Sequence, residues 1–255
     1  MNFNTINKVQ YNSNCNECRA RGTSLFKLIP DKDLSGTQEY RKEQLEIPAR
    51  TRIFQEGDYH DHVYSMFKGW GFIYKTVSNN GKRQILRFIL PGDLIGYQTN
   101  TGSTMPYSAG TITESVLCAF PKNKIKPMLQ ETPELAIRLV DMESRVVSLC
   151  QNHLMAAGRK TARESIAFLL LELFYRVRQQ IPKDYSESSH SIVFPLTQED
   201  IGDAVGLTNI HVNRVIKEMM REKLIHCHKK NLIISEEEKL SQIAEFKPDM
   251  ILNSH

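Results

Sequence analysis

The stretch that decides the fold runs from Leu196 to Lys230 and has the sequence LTQEDIGDAVGLTNIHVNRVIKEMMREKLIHCHKK. It contains two short segments in which apolar residues recur three and four positions apart, joined at a glycine. Two β-prone runs follow and meet at a basic turn. This spacing predicts two helices that each bury one face, followed by a hairpin. The layout is typical of a winged helix-turn-helix, in which the second helix lies in a DNA major groove.

The ends of both predicted helices carry residues that suit helix termini. Thr197 and Asp200 have the spacing of a capping box, which predicts a helix start at Thr197. Gly206 lies where helices commonly end in a left-handed residue, and Thr208 can cap the second helix. The alternative interpretation is an ordinary amphipathic helix pair whose basic face is only solvated.

The polar face of the second helix supplies the candidates for reading bases, because side chains there can reach base edges. We expect base contacts from Asn209, Ile210, Asn213, Arg214 and Lys217, with guanine as the partner of Arg214. Cations and cap residues around the helices and at the hairpin turn are candidates for phosphate contacts. These are Arg159, Lys160, Arg163, Thr197, Thr208, Arg221, Lys229 and Lys230. For the first three, solvation without DNA contact is an equally open alternative.

The hairpin also contains His226, Cys227 and His228, which are metal-ligating residue types. Adjacent residues of a strand point to opposite faces, so Cys227 cannot easily join its neighbours on one ion. We therefore do not expect a metal site in the hairpin.

The composition limits the class of protein. The chain has 255 residues, 40% hydrophobic and 24% charged, which fits a globular protein with room for two small domains. The net charge of +4 is mildly basic, so affinity for nucleic acid must come from clustered charge. Without a signal peptide or a run of about 20 apolar residues, we expect a cytoplasmic protein with no membrane contact. The five cysteines then indicate reduced thiols.

Two other functional classes find little support in the sequence. No Gly-rich phosphate loop, paired carboxylate spacing or nucleophile motif rises above chance, so an enzyme is not expected. The remaining alternative is a ligand-binding module whose helix pair contacts a protein instead of DNA.

Between about Leu45 and Phe120 the chain breaks into short β-like runs separated by turn residues. The runs include residues 51–54, 63–67, 71–77 and 84–90, and the Asn80-Gly81 pair suits a tight hairpin turn. Strands at this spacing predict a small antiparallel barrel or roll. Its interior can hold one small ligand or simply be filled by side chains.

A long helical pattern follows the predicted roll. Its apolar positions alternate four and three residues apart over about three heptads, which favours a seam between two subunits over a core helix. The predicted dimer seam consists of Leu135, Leu139, Met142, Val146, Leu149, His153 and Ala156.

The expected organisation has five parts. They are an N-terminal arm (1–24), a β-roll sensor domain (25–133), a dimerisation helix (134–158), a winged helix-turn-helix (159–235) and a tail (236–255). The tail is mostly polar, so we expect it to be loosely held. Residues 183–191 are polar and serine-rich, which predicts a surface loop.

Several motifs, taken in their order along the chain, resemble those of the Crp/Fnr superfamily of bacterial transcription regulators. They are IFQEGD at 53–58, LPGDLIG at 90–96, GRKTARESIAFLLLEL at 158–173 and the helix-turn-helix. The resemblance implies an α+β fold with an N-terminal cyclic-nucleotide-binding-type antiparallel β-roll, a long dimerisation helix and a C-terminal winged helix-turn-helix. It also implies a homodimer that bends a near-palindromic DNA site and contacts RNA polymerase.

The chain departs from the cyclic-AMP branch of that superfamily in its phosphate cassette. That branch has a Gly-Glu pair and an Arg-Ser pair where this chain has Gly96-Tyr97 and Tyr107-Ser108. No charged side chain occurs between Leu94 and Thr113, so a buried cyclic phosphate would lack a compensating cation. We therefore predict that cyclic AMP is not the effector.

The recognition helix departs from the well-known branches as well. They have a glutamate where this chain has Ile210, whereas the arginine one turn later is kept as Arg214. Isoleucine cannot accept a hydrogen bond from cytosine, but it could touch a thymine methyl group. A non-standard operator sequence is the expected consequence.

The cysteines resemble those of the oxygen-sensing branch, which ligates an iron–sulfur cluster. Cys15, Cys18 and Cys118 match three ligand positions, but Ser24 stands near the position of the third arm cysteine. A cubane cluster usually needs four thiolates, so we predict no stable four-iron cluster. Oxidation of Cys15 and Cys18 on an exposed arm is the preferred redox alternative. It is also open whether these two thiols are vestigial and Cys118 is a core residue.

Overall fold

The computed structural model describes residues 7–9, 15, 18–34, 36, 39–77, 81–97, 104–180 and 191–251. The chain divides into two compact units. The first comprises Met1–Lys75 and Arg87–Ser144, and the second comprises Thr76–Leu86 and Arg145–His255. Of the expected features, residues 183–190 of the predicted surface loop and Asn80 of the hairpin turn lie outside the described residues. Ser191, the last residue of that predicted loop, instead begins a strand.

Two antiparallel sheets form the predicted β-roll, which belongs to the first unit except for its Thr76–Leu86 segment. One has the strand order β1-β2-β9-β4-β7 and the other the order β3-β8-β5-β6. The strands are β1 (Asn7–Val9), β2 (Glu43–Ile47), β3 (Arg52–Phe54), β4 (His62–Lys68), β5 (Gly71–Thr76), β6 (Arg83–Ile89), β7 (Leu94–Ile95), β8 (Ser108–Thr111) and β9 (Ser115–Pro121).

Side chains fill the space between these strands. Phe54, Tyr64, Met66, Ile89 and Leu117 are all buried in one apolar cluster. The cluster draws on both sheets, which fits the second of the two interiors that the sequence left open.

The N-terminal arm is more structured than its sequence suggested. Its strand β1 pairs with β2, with Lys8 opposite Leu45. Short 3-10 turns follow, and the buried Arg138 donates hydrogen bonds to the carbonyl oxygens of Thr23 (3.0 Å) and Ser24 (3.2 Å). These contacts join the arm to the first unit.

Helices α1 (Lys122–Glu131) and α2 (Pro133–Arg159) follow the roll. α2 extends through Gly158, so the glycine does not end the helix. The next helix, α3 (Ala162–Arg178), begins at a capping box formed by Thr161 and Glu164. α3 is buried along most of its length, which makes it the centre of the second unit.

The rest of the second unit forms around α3. Helices α4 (Gln198–Val205) and α5 (Asn209–Arg221) are followed by the hairpin strands β11 (Ile225–His228) and β12 (Asn231–Ile234). Strand β10 (Ser191–Val193) pairs with β12 and makes the sheet three-stranded, which the sequence did not predict.

The expectation of a loosely held C-terminal tail is wrong for residues 236–251. Helix α6 (Glu237–Ala244) packs on α3, and Leu240, Ala244, Phe246 and Ile251 are buried. Its apolar residues follow a helical spacing that the many charges of the segment concealed. No helix in the described parts of the chain is both long and apolar enough to cross a membrane.

Candidate nucleic-acid interface and dimerisation surface

The two helices of the predicted helix-turn-helix start and end where their caps indicate. The Thr197 hydroxyl accepts a hydrogen bond from the Asp200 N–H, and the Asp200 carboxylate accepts one from the Thr197 N–H. Gly206 ends α4 with a φ of 74°, and Thr208 caps α5. A Cβ atom at Gly202 would lie 2.5 Å from the Leu207 carbonyl oxygen, so the close turn requires glycine there.

One face of α5 is buried and the opposite face is open. Val212, Val215 and Met219 are buried, so this helix buries one face, as its spacing predicts. Exposed side chains recur four and three residues apart along the other face, namely those of Ile210, Arg214, Lys217 and Arg221. Asn209 is exposed at the helix start, and Asn213 is half-buried on the flank.

Asp200 connects the helix cap to a cation that the sequence analysis missed. Its buried carboxylate accepts hydrogen bonds from Thr197 and lies 3.3 Å from an Arg83 Nη2 nitrogen. The Arg83 Nε atom also donates to Asp203 at 2.7 Å. Arg83 is more than one hundred residues away in sequence, so no local pattern could have indicated this pair.

The hairpin turn holds two lysines in an unusual backbone conformation. Lys229 and Lys230 have φ angles of 45° and 66°, in the left-handed region that favours glycine and asparagine. The Phe194 N–H donates to the Lys230 carbonyl oxygen at 2.7 Å, which fixes the turn to β10. Both side chains are exposed.

The hairpin histidines lie on the same side of the sheet. The rings of His226 and His228 stack with centroids 6.3 Å apart, and both residues are exposed. Cys227, between them, is half-buried. Among the residues that the structure describes, no three His, Cys, Asp or Glu side chains group closely enough to hold a metal ion.

Two of the predicted phosphate contacts are engaged within the second unit. The side chain of Lys160 is only 4% exposed and donates to the Ala244 carbonyl oxygen at 2.9 Å. The Arg163 guanidinium forms two 2.6 Å hydrogen bonds with the Glu222 carboxylate. Both cations are therefore engaged within the chain, and their contact with DNA stays a prediction. Arg159 is exposed.

The predicted dimer seam lies largely inside the chain's own cores, so most of it cannot contact a second subunit. Leu135 and Leu139 are buried against Phe26 and Phe120 in the first unit. Leu149 and Ala156 are buried as well, while Met142 and Val146 are half-buried. The heptad spacing of these residues therefore marks the inner face of α2.

A second apolar stripe lies along the outer face of α2. It consists of Ile137, Val140, Val147 and Leu154, whose exposed fractions range from 54% to 75%. Their spacing of three, seven and seven residues is that of a heptad seam. α2 therefore carries two apolar stripes, and only the outer one is open to a partner.

His153, the polar member of the predicted seam, belongs to a buried ionic network. Its Nε2 atom lies 2.6 Å from Glu172, which also accepts a 2.9 Å hydrogen bond from Arg176. Burial lowers the pKa of His153, but the Glu172 carboxylate outweighs burial and raises it above its ordinary value. Burial likewise opposes ionisation of Glu172, yet His153 and Arg176 hold its pKa well below the usual range.

The phosphate-cassette region of the β-roll is occupied by aromatic side chains. The Gly96 N–H donates to the Tyr107 hydroxyl at 3.2 Å, and the Tyr107 and Phe54 rings lie 5.8 Å apart. Burial raises the pKa of Tyr107. The Tyr107 hydroxyl thus engages a backbone donor in the segment that the sequence analysis compared with the phosphate cassette. Residues 98–103 of this segment lie outside the described residues.

The three cysteines of interest line one cavity of about 30 Å³, together with Ser24 and Arg41. The Cys18 N–H donates to the Cys15 carbonyl oxygen at 3.3 Å. A Gln44 amide nitrogen lies 3.2 Å from the Cys118 sulfur. Burial raises the pKa of all three thiols, and the expected exposure of Cys15 and Cys18 is wrong because both are half-buried.

The residues around this cavity do not fit a four-iron cluster. Only three thiols are present, and the Ser24 hydroxyl donates to the Arg21 carbonyl oxygen (3.0 Å) and accepts from the Phe26 N–H (3.2 Å). The serine therefore caps a 3-10 turn and is not available as a fourth ligand. Cys150 is exposed on α2 and Cys227 lies in the hairpin, so neither replaces it.

Comparisons with known proteins agree with this architecture. Residues 44–132 match the cyclic nucleotide-binding domain family, and residues 164–243 match the Crp-like helix-turn-helix domain family. The chain is 31% identical to the transcriptional activatory protein AadR of Rhodopseudomonas palustris, over 82% of this chain and 83% of AadR. It is 32% identical to the nitrogen fixation regulation protein FixK of Rhizobium meliloti, over 70% and 75% of the two chains.

Among solved structures, FixK2 from Bradyrhizobium japonicum has a similar fold. The TM-score is 0.69 at 23% identity, and the match covers 78% of this chain and 96% of FixK2. The order of β-roll, long helix and winged helix-turn-helix, together with these relatives, leads to one conclusion. The chain belongs to the Crp/Fnr family of transcription regulators.

Proposed function

We propose that this protein acts as a homodimer that binds a near-palindromic DNA site through α5 and regulates transcription there. The observation that carries the proposal is the outer face of α5, where Ile210, Arg214, Lys217 and Arg221 are exposed opposite a buried apolar face. A helix presented in this way can enter a major groove. The AadR relative is named as a transcriptional activatory protein, so contact with RNA polymerase is part of the proposal.

Different side chains on this surface have different tasks. Arg214 reads a base, and guanine is its best partner because a guanidinium can bond both O6 and N7. Asn209, Asn213 and Lys217 lie near enough to the same groove to assist. The phosphate contacts are made by those backbone candidates that are exposed or cap a helix. They are Arg159, Thr197, Thr208, Arg221, Lys229 and Lys230.

The outer stripe of α2 forms the dimer seam in this proposal. Ile137, Val140, Val147 and Leu154 pack against the same residues of a second copy, because a two-fold seam is self-complementary. The α5 helices of the two subunits then bind the two half-sites of the DNA. Residues 25–133 serve as the sensor part and residues 159–251 as the DNA-binding part.

Selection from a pool of randomised DNA duplexes tests the proposal. The expected product is an enriched sequence with two symmetric half-sites about one helical turn apart, bound more weakly as salt rises. A pool without enrichment would contradict DNA recognition. The alternative of a protein-interaction module would gain support from that result.

Cyclic AMP is not the effector in this proposal, since Tyr107 occupies the place of a phosphate-binding cation and engages the Gly96 N–H. Calorimetry should detect no binding of cyclic AMP at micromolar concentration. Micromolar binding accompanied by a gain in affinity for the selected DNA would overturn this statement.

Redox sensing by the cysteines is a second candidate function, favoured by the common cavity of Cys15, Cys18 and Cys118. Hydrogen peroxide would take two electrons from Cys15 and Cys18, forming one S–S bond and two water molecules. The raised pKa values of both thiols make this reaction slow at neutral pH.

Mass spectrometry of the peroxide-treated protein tests this candidate. A Cys15–Cys18 disulfide that changes DNA affinity supports it, and equal affinity in reducing and oxidising buffer removes it. Reconstitution without oxygen should yield fewer than four irons per subunit. Four irons and four sulfides in a chromophore that bleaches in air would contradict our assessment of the cluster.

A further inference from the structure

Ile210 is the most exposed large apolar side chain in the described parts of the protein, at 84%. It lies in the first turn of α5, one turn before Arg214 on the same outward face. Thr208 fixes the helix start by accepting a hydrogen bond from the His211 N–H, so the position of this first turn is well defined. Side chains in the first turn of a recognition helix are those that contact base edges.

Isoleucine has no hydrogen-bonding group, which restricts what it can recognise in a major groove. The apolar feature of the base edges there is the methyl group at C5 of thymine. A bare cytosine offers an amino donor, which an isoleucine would shield from water without pairing it. The Glu218 carboxylate lies one turn beyond Arg214, 4.0 Å from the Arg214 Nε atom.

We propose that Ile210 reads the C5 methyl group of a pyrimidine in each half-site. The residue then accepts thymine, and it distinguishes 5-methylcytosine from unmodified cytosine at the same position. Cytosine methylation at that position would therefore raise the affinity of a variant operator. This inference rests on the proposed DNA-binding function and adds to it the chemical group that specifies one base.

Chemical substitution within the selected operator provides the test. Each thymine of a half-site is replaced in turn by deoxyuridine, which removes only the methyl group. One position per half-site should lose about fourfold in affinity, as expected for burial of one methyl group. At that position the order of affinity should be thymine, then 5-methylcytosine, then cytosine.

Protein variants connect the effect to Ile210. Ile210→Ala should bind the thymine and deoxyuridine operators with nearly equal affinity, and it should gain nothing from cytosine methylation. Ile210→Glu should prefer cytosine to thymine, because its carboxylate can accept from the amino group that cytosine and 5-methylcytosine both carry. Val193→Ala, which removes an exposed apolar side chain from β10, should keep the full discrimination of the wild type.

The outcomes separate this inference from the proposed function. Strong operator binding without any methyl-sensitive position overturns the role of Ile210 and leaves DNA recognition intact. A methyl effect of equal size in Ile210→Ala also overturns it, since another group would then read the methyl. Absence of an enriched operator contradicts the proposed function itself.

Discussion

The sequence of α5 indicates which face of the helix is buried, whereas the sequence of α2 does not. α5 has one apolar face and one polar face, so its inner residues Val212, Val215 and Met219 follow directly from the pattern. α2 has apolar residues on two faces. One set packs into the chain's own cores, and the other is exposed. A single apolar stripe identifies the buried face of a helix. Two apolar stripes do not indicate which of them contacts a second subunit.

Charge substitutions on the two faces of α2 should have the largest effects, one on the free energy of unfolding and the other on dimer formation. Leu139→Glu places a carboxylate in the core around Phe26 and Phe120, so the free energy of unfolding should fall by about 3–5 kcal/mol. Val147→Glu should leave a folded protein that sediments as a monomer. Denaturant unfolding and sedimentation measure the two effects. A dimeric Val147→Glu protein would place the seam elsewhere.

The network of His153 and Glu172 should make stability depend on pH. The pKa of His153 is raised on folding, so its contribution is complete below about pH 6.5 and is lost as pH rises through the raised value. The pKa of Glu172 is lowered, so its contribution is present above about pH 4.5 and is lost as pH falls through the lowered value.

His153→Gln supplies the matched control, because glutamine can donate to Glu172 but does not titrate. The wild type should be more stable by about 1.5–3 kcal/mol below pH 6.5, and this difference should shrink toward pH 9. Urea unfolding of both proteins at several pH values measures it. A difference that is constant from pH 6 to pH 9 would exclude His153 as the titrating group.

Substitutions in the hairpin turn at Lys229-Lys230 should have a smaller effect. They should raise the free energy of unfolding and lower the affinity for DNA. Replacing Lys229-Lys230 by Asn-Gly relieves two left-handed lysines, so the free energy of unfolding should rise by about 1 kcal/mol. DNA affinity should fall and depend less on salt, because phosphate contacts are lost. Lys223→Gly relieves another left-handed lysine outside the turn, and it should stabilise without changing the salt dependence.

Much of the fold could be predicted because local signals agree with it. The caps at Thr197 and Thr208, the end of α4 at Gly206 and the runs of the roll each depend on neighbours in sequence. The features that escaped prediction depend on distant partners. Lys160 meets Ala244, and Arg163 meets Glu222, 59 residues away. No local pattern indicates that a cation is already paired.

In the candidate site, too, features that depend on sequence spacing could be predicted, and features that depend on the folded chain could not. The outward face of α5 was predictable from its spacing, since the polar residues lie opposite the apolar ones. The pairing of Ser24 with Arg21 and Phe26, which removes the serine as a ligand, required the folded turn. The burial of Cys15 and Cys18 likewise depends on the packing of the arm, which their polar neighbours in sequence do not reveal.

The ratio of affinities for the selected operator and for random DNA tests the central claim most directly. Arg214→Ala should lower affinity for the operator by about 5- to 150-fold and relax the preference at one position of each half-site. Its affinity for random DNA should fall much less. Wild-type affinities of Arg214→Ala for both DNAs would contradict the claim that the outer face of α5 reads the sequence.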